Sequence, residues 1–168
     1  MDATAFLLLA SACAPSIDPG TARALVHVES AFNPHAIAVV GATLARQPRS
    51  ASEAIATSRK LQADGANFSV GLAQINVHNF RRLGLTLPTA FDPCANLAAM
   101  QALLLDCFQR ASAAGVAPQR ALRQALSCYY SGNFTTGFEH GYTRRVVRAA
   151  IRAAVPAPSP LQFAKEAS

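Results

Sequence analysis

Glu29 is the residue whose surroundings best suit acid and base chemistry. It closes the apolar stretch Ala24-Leu25-Val26-His27-Val28 and is followed at once by Ser30-Ala31-Phe32-Asn33-Pro34. A carboxyl at the end of a largely apolar helix loses hydration. That disfavours its charged form and raises its pKa toward the range in which it can donate a proton at neutral pH. The same letters also describe an exposed glutamate on a surface helix, so the neighbouring motifs have to decide. The other acids are Asp2, Asp18, Asp64, Asp92, Asp106, Glu53, Glu139 and Glu166. None sits in a motif resembling a second catalytic position, and Asp92 before Pro93 suits a helix cap. Cleavage between two flanking carboxyls is therefore not indicated, whereas chemistry with a single carboxyl is.

The elements that must position Glu29 are mostly helical. Ile17 to Glu29 reads as a helix, with Asp18 and Pro19 at its start and Asn33-Pro34 as its stop. Ala36 to Ala42 is short and β-branched, suiting a strand or extended edge. Ser52 to Asp64 reads as an Ala-rich helix capped by Ser50 or Ser52 and stopped by Gly65. Phe68 to Asn76 is non-helical and leads into a helix near Val77 to Leu83. Asp92-Pro93 opens a longer helix reaching Gly115. Pro118 to Tyr130 and Gly141 to Ala154 complete the set. The result is one mostly helical domain over 1–155 with a small β element after Pro34. The stretch Pro156-Ala157-Pro158-Ser159-Pro160 cannot continue a helix, so 156–168 reads as a Pro-rich disordered tail.

Composition agrees with one packed domain: 168 residues, 51% hydrophobic and 14% charged. The net charge of +6 favours polyanionic partners. Its densest group, Arg144, Arg145, Arg148 and Arg152, also fits the solvated face of a last helix. No stretch is long and apolar enough to span a bilayer. The run Phe6 to Ala10 has no basic residue before it, which makes a poor secretion signal.

Cys13, Cys94, Cys107 and Cys128 form no C-x-x-C pair and have no histidine at ligand spacing, so neither a metal nor another cofactor is expected. Two disulfides in an oxidising compartment suit this number, and free thiols in a reducing one would look the same. Cys94 and Cys107 on one helix would stand about 19 Å apart and should not pair. If Leu97 to Ala111 and Gln119 to Tyr130 are antiparallel neighbours joined around Gly115, Cys107 and Cys128 fall at similar heights. Cys13 is then left to Cys94.

Four groups of residues occur in a telling order: Glu29-Ser30 with Phe32-Asn33-Pro34; Gly71-Leu72-Ala73-Gln74-Ile75-Asn76; Phe91-Asp92-Pro93 with Asn96-Leu97; and Tyr129 with Gly132. Together, over about Cys13 to Val147, they resemble the transglycosylase branch of the lysozyme superfamily. The insert between Gly41 and Phe68, the phrase Ser69 to Asn76 and the phrase Ser127 to Phe134 are similar to the lytic transglycosylases of type IV secretion systems. The resemblance implies a mainly α, lysozyme-like α+β fold with a cleft holding the catalytic glutamate.

It also implies roles. Glu29 matches the catalytic glutamate and Ser30 its hydrogen-bonding neighbour. Gly71, Leu72 and Gln74 match the loop lining the sugar cleft, where Gly71 lets backbone approach the glycan and Gln74 hydrogen-bonds it, with Asn76 acting likewise. Tyr129 matches the tyrosine beside the carboxyl, and Gly132 the turn after it. Read from the residues alone, Gly71 could be a turn, Gln74 and Asn76 caps, and Tyr129 core. The chain departs from the wider family at Tyr130, where many members have Asn, and at Ala38, where many have Ser. Tyr130 is then a candidate for packing or for the cleft rim.

The activity implied is cleavage of the bond between N-acetylmuramic acid and N-acetylglucosamine in peptidoglycan, leaving 1,6-anhydro ends and opening the wall for a secretion or conjugation apparatus. The implied setting is the periplasm, with glycan strands and secretion-system components as partners, a monomeric state, and no nucleic acid. A hydrolytic muramidase of the same fold, and a catalytically silent assembly factor, are the alternatives.

Overall fold

Three of the helix starts are written in side chains that satisfy the free N–H groups of a first turn. Asp18 Oδ1 accepts from Thr21 N at 2.8 Å, Ser50 Oγ from Glu53 N at 3.2 Å, and Asp92 Oδ1 from Ala95 N at 2.8 Å. Pro19 and Pro93 sit in the first turns of two of these helices, where a missing N–H costs nothing.

The computed structural model describes residues 3–154. Helix α1 (Ala3–Cys13) leads to α2 (Pro19–Ser30), strand β1 (Ile37–Val39) and α3 (Ala51–Ala63). Strands β2 (Phe68–Val70) and β3 (Ile75–Asn76) follow, then a 3₁₀ turn (Val77–Asn79), α4 (Phe80–Leu83) and α5 (Leu87–Ala90). The chain continues through α6 (Pro93–Ser112), α7 (Pro118–Ser131), α8 (Thr136–Glu139) and α9 (Tyr142–Ala154). The reading of 156–168 as a tail, and the boundary at 155, lie outside the described residues.

The strands form one antiparallel sheet in the order β1-β2-β3, with Ile37 opposite Val70 and Ser69 opposite Asn76. Its β1 edge is blunted by Gln47, whose side chain accepts from Ile37 N at 2.8 Å and donates to Ile37 O at 2.9 Å. A strand edge satisfied this way offers no template to another chain. The core runs from α2 through the sheet to α6, with Leu25, Val26, Phe68, Val70, Leu72, Ile75, Leu97 and Met100 all fully buried.

Both disulfides join the expected cysteines: Cys13 to Cys94 ties α1 to the start of α6, and Cys107 to Cys128 ties α6 to α7. The structure also fills in what the sequence reading left unassigned. The apolar N-terminal run is helix α1, packed into the core through Phe6 and Ala10. Phe68 to Asn76 holds two strands, because alternating burial at Phe68 and Val70 needs a partner that only the fold supplies. Helices α5 and α8 have four residues each, too short for a helical period to register.

Candidate functional site

Glu29 stands in the last turn of α2. The chain leaves it through two residues in the left-handed region, Ala31 (φ 49°) and Phe32 (φ 63°). Such a backbone costs a non-glycine residue roughly 1 kcal/mol and persists only where packing imposes it. Here the packing is Phe32, whose ring meets Phe6 edge-on at 5.1 Å and lies 5.8 Å from the His27 ring. Asn33-Pro34 follows the turn rather than making it.

The Glu29 carboxylate accepts a hydrogen bond from the hydroxyl of Tyr142, the first residue of α9. Burial raises the Glu29 pKa, while the Tyr142 bond and the positive charge of Arg145 lower it, and burial prevails: the pKa stands at about 7 against an ordinary 4.5. The Tyr142 side chain is buried, and both burial and the nearby carboxylate push its own pKa up. It therefore remains a proton donor to Glu29 at any physiological pH.

The Gly71-Leu72-Ala73-Gln74 loop is clamped from two helices. Asn96, buried in α6, accepts from Ala73 N at 2.8 Å and donates to Val70 O at 3.1 Å and Ala90 O at 2.8 Å. From α7, the Tyr129 hydroxyl donates to Ala73 O at 2.6 Å. Gln74, itself at φ 50°, donates through Nε2 to Gly71 O at 2.9 Å and Ala36 O at 3.1 Å. Its Oε1 makes no hydrogen bond among the described residues. Gly71 has φ 79°, and a Cβ there would lie 2.3 Å from Asn96 Nδ2. Only glycine fits.

Tyr129, Ser30, Leu72 and Asn76 do not make the contacts that the resemblance implies, whereas Tyr130 packs as the sequence allowed. The Tyr129 hydroxyl is committed to the Ala73 carbonyl rather than to Glu29, although the ring is close enough for the Glu29 charge to raise its pKa along with burial. Ser30 turns its hydroxyl back to Val26 O at 3.3 Å, as helix-end serines do, so it does not support the carboxyl. Leu72 is fully buried and belongs to the core. Asn76 caps the 3₁₀ turn through His78 N at 3.0 Å and donates to Asn67 at 2.7 Å and Ser69 at 3.2 Å. Tyr130 is exposed, stacks on the Tyr142 ring with centroids 4.5 Å apart, and shares a 3.2 Å hydrogen bond with His140.

Comparison with protein families gives a match to the transglycosylase SLT domain over residues 6–150. The chain belongs to this family. Within it, the chain is 52% identical to the type IV secretion system protein virB1 of Brucella abortus (strain 9-941) over 133 residues, covering 79% of this chain and 56% of that protein. It is 39% identical to protein virB1 of Agrobacterium fabrum (strain C58 / ATCC 33970) over 127 residues, 74% of this chain and 51% of that one. For protein virB1 of Rhizobium radiobacter the identity is 38% over 131 residues, 77% and 54%. The chain thus spans about half the length of the curated relatives it matches. No solved structure matches it.

For this SLT domain, sequence reasoning missed Tyr142, the residue that bonds Glu29, and the clamping role of Asn96. A signal for Tyr142 was present: Tyr142, Val146 and Ala149 recur at helical spacing on the last helix, and that stripe is the face turned to α2. The hydroxyl roles of the two tyrosines can be separated. Tyr129→Phe should cost about 1 kcal/mol of stability, because Ala73 O loses its partner, and should leave the pKa of Glu29 where it is. Tyr142→Phe removes a bond that lowers that pKa, so Glu29 should hold its proton to higher pH. Melting curves and the pH dependence of turnover for the two variants check both statements.

Proposed function

We propose that the chain is a lytic transglycosylase that cleaves peptidoglycan glycan strands in the periplasm and serves a type IV secretion apparatus. Glu29 is the catalytic residue. It protonates the oxygen joining muramic acid to N-acetylglucosamine, and that C1–O bond breaks. The substrate's own acetamido group stabilises the oxocarbenium-like centre. The carboxylate then takes the proton of the muramic 6-hydroxyl as its oxygen bonds to C1, closing the 1,6-anhydro ring and restoring the acid. Gly71 and Gln74 would receive the strand, the first by backbone approach and the second through its unengaged Oε1. Tyr130, stacked on the rim of the site, offers a ring face to a sugar.

The observation that carries this reading is the single desolvated carboxyl, poised near pH 7 and held by Tyr142. The other described acids are engaged elsewhere or exposed. Asp18 and Asp92 cap helices, Glu53 pairs with Arg46, Asp106 pairs with Arg110 at 3.1 Å, and Asp64 and Glu139 are exposed. With no second carboxylate beside Glu29 among the described residues to act as nucleophile or base, the acceptor that fits is one the substrate brings. The similarity to virB1 proteins supports the secretion setting.

Mass spectrometry of digested peptidoglycan tests the reaction. Anhydro-muramic ends are expected, and reducing ends would mean that water is the acceptor. Turnover should also fall as pH rises through about 7, since the first step needs Glu29 protonated. A rate that stays flat from pH 6 to 9 would remove Glu29 as the acid.

A further inference from the structure

When Glu29 gives up its proton, a negative charge is left on a carboxyl buried where α9 packs along α2. Burial makes that charge costly unless other groups meet it. Among the described residues, the ionisable groups that act on Glu29 are Tyr142 and Arg145 from α9 and Tyr129 from α7. Both tyrosines are pushed above their ordinary range and stay neutral at physiological pH. Arg145 is therefore the cation that meets the carboxylate. Its charge is not spent elsewhere: among the described residues no carboxylate lies within ion-pair distance of it, whereas Arg46, Arg82 and Arg110 each have one.

The fold fixes where that charge stands. Helix α8 closes on His140, and Gly141, at φ 68°, turns the chain into α9. Arg145 lies one turn further on, its N–H donating to Gly141 O at 3.1 Å. It shares a helix face with Tyr142, three residues before it. Its side chain folds back over the turn: Nη1 donates to His140 O at 3.1 Å, and the guanidinium carbon lies 5.8 Å over the ring of Tyr142. That ring is held by Tyr130, which stacks on it and is hydrogen-bonded to His140, and its hydroxyl donates to Glu29. One short turn thus places both the hydroxyl that bonds the carboxylate and the cation behind it. We infer that Arg145 is a positioning residue of the reaction: anchored by the His140 carbonyl against Tyr142, it stabilises the Glu29 carboxylate between proton donation and proton recovery. This rests on the glycan-cleaving reading of Glu29. A fixed charge of this kind acts where charge develops in the reaction and needs no contact with the strand, so it belongs in kcat rather than in KM.

The direct test follows the side-chain carboxyl carbon of Glu29 by NMR through a pH titration, in the full chain labelled with carbon-13 glutamate and assigned from the spectrum of Glu29→Gln. Wild type is compared with Arg145→Gln, Arg145→Lys and Arg144→Gln. Removing a cation that favours the charged form should raise the Glu29 midpoint in Arg145→Gln. Arg145→Lys keeps the charge and should bring the midpoint back toward wild type. Arg144→Gln removes the same charge from the exposed neighbour and should leave the midpoint where it is. On peptidoglycan the descending limb of turnover should move to higher pH in Arg145→Gln. At about pH 5.5, where Glu29 is protonated in both proteins, kcat should fall roughly threefold or more with KM unchanged, because a weaker acid donates more slowly. An Arg145→Gln protein that melts lower but titrates as wild type overturns the inference, since the side chain then only caps the His140 carbonyl. So does a lysine variant that titrates like the glutamine one, or an equal shift from Arg144→Gln, which would make net charge the cause. If no protein cleaves any strand, the glycan reading fails, while the carboxyl titration still decides whether Arg145 holds the charge on Glu29.

Discussion

Glu29→Gln is expected to abolish cleavage and, at the same time, to make the protein more stable above neutral pH. The rate falls because glutamine keeps the shape of the side chain but can neither give nor take the catalytic proton. Loss of a general acid costs roughly 10²-fold to 10⁴-fold, and among the described residues no other carboxyl is placed to replace it. The stability gain has the same origin. The Glu29 pKa is near 7 in the folded protein against 4.5 unfolded, so between those values the folded state holds a proton that the unfolded state has lost. Stability therefore falls as pH rises from about 4.5 to 7 and stays low above that, by at most about 3 kcal/mol for a shift of this size. Glutamine does not titrate, and its carbonyl can still accept from Tyr142. The melting temperatures of wild type and variant should converge near pH 4.5 and separate progressively up to pH 7. An inactive variant with no gain at pH 8 would mean that the carboxyl is better solvated than its packing indicates. Activity within a few-fold of wild type would sink Glu29 as the acid.

What could be read in the sequence was local or strongly ordered. Asp18, Ser50 and Asp92 cap the helices they were expected to cap because a cap involves residues within one turn of each other. The cysteine pairing followed from helix geometry and the antiparallel arrangement of α6 and α7 alone. Glu29 emerged from an apolar stretch and a motif order. What stayed hidden depends on contacts between distant segments. Tyr142 is 113 residues from Glu29, and no spacing rule connects them. Tyr129 has a motif position that suggested the carboxyl, but its hydroxyl had two candidate partners, and the Ala73 carbonyl holds it. Leu72 lies inside a loop expected to touch sugar, yet its side chain points to the core. The loop is a turn in which Leu72 and Ala73 are both buried, so no strand-like alternation could mark which of its side chains faces the core.

The loop itself carries the second large effect. Gly71→Ala is expected to destabilise the protein by about 2 to 4 kcal/mol, from a left-handed backbone that alanine adopts at a cost of roughly 1 kcal/mol and from displacing a buried hydrogen-bonded amide. Asn96→Ala should cost about 3 kcal/mol or more, since it orphans the Ala73 N–H and removes the side-chain donors to Val70 O and Ala90 O. These two residues are in contact, so the costs should not add. An alanine Cβ at 71 would collide with Asn96 Nδ2 at 2.3 Å and Asn96 Cγ at 2.8 Å, and also with Ala90 O at 2.9 Å. Trimming Asn96 removes the first two collisions and leaves the backbone one. The double variant should therefore be more stable than the sum of the single losses by a coupling on the order of 1 kcal/mol. Denaturant unfolding of the four proteins gives the cycle directly. Additivity within error would mean that φ and the Ala90 O collision, rather than Asn96, exclude a side chain at 71. A clear coupling, together with a rise in KM for glycan in both single variants, would tie the rigidity of this loop to its hold on the strand.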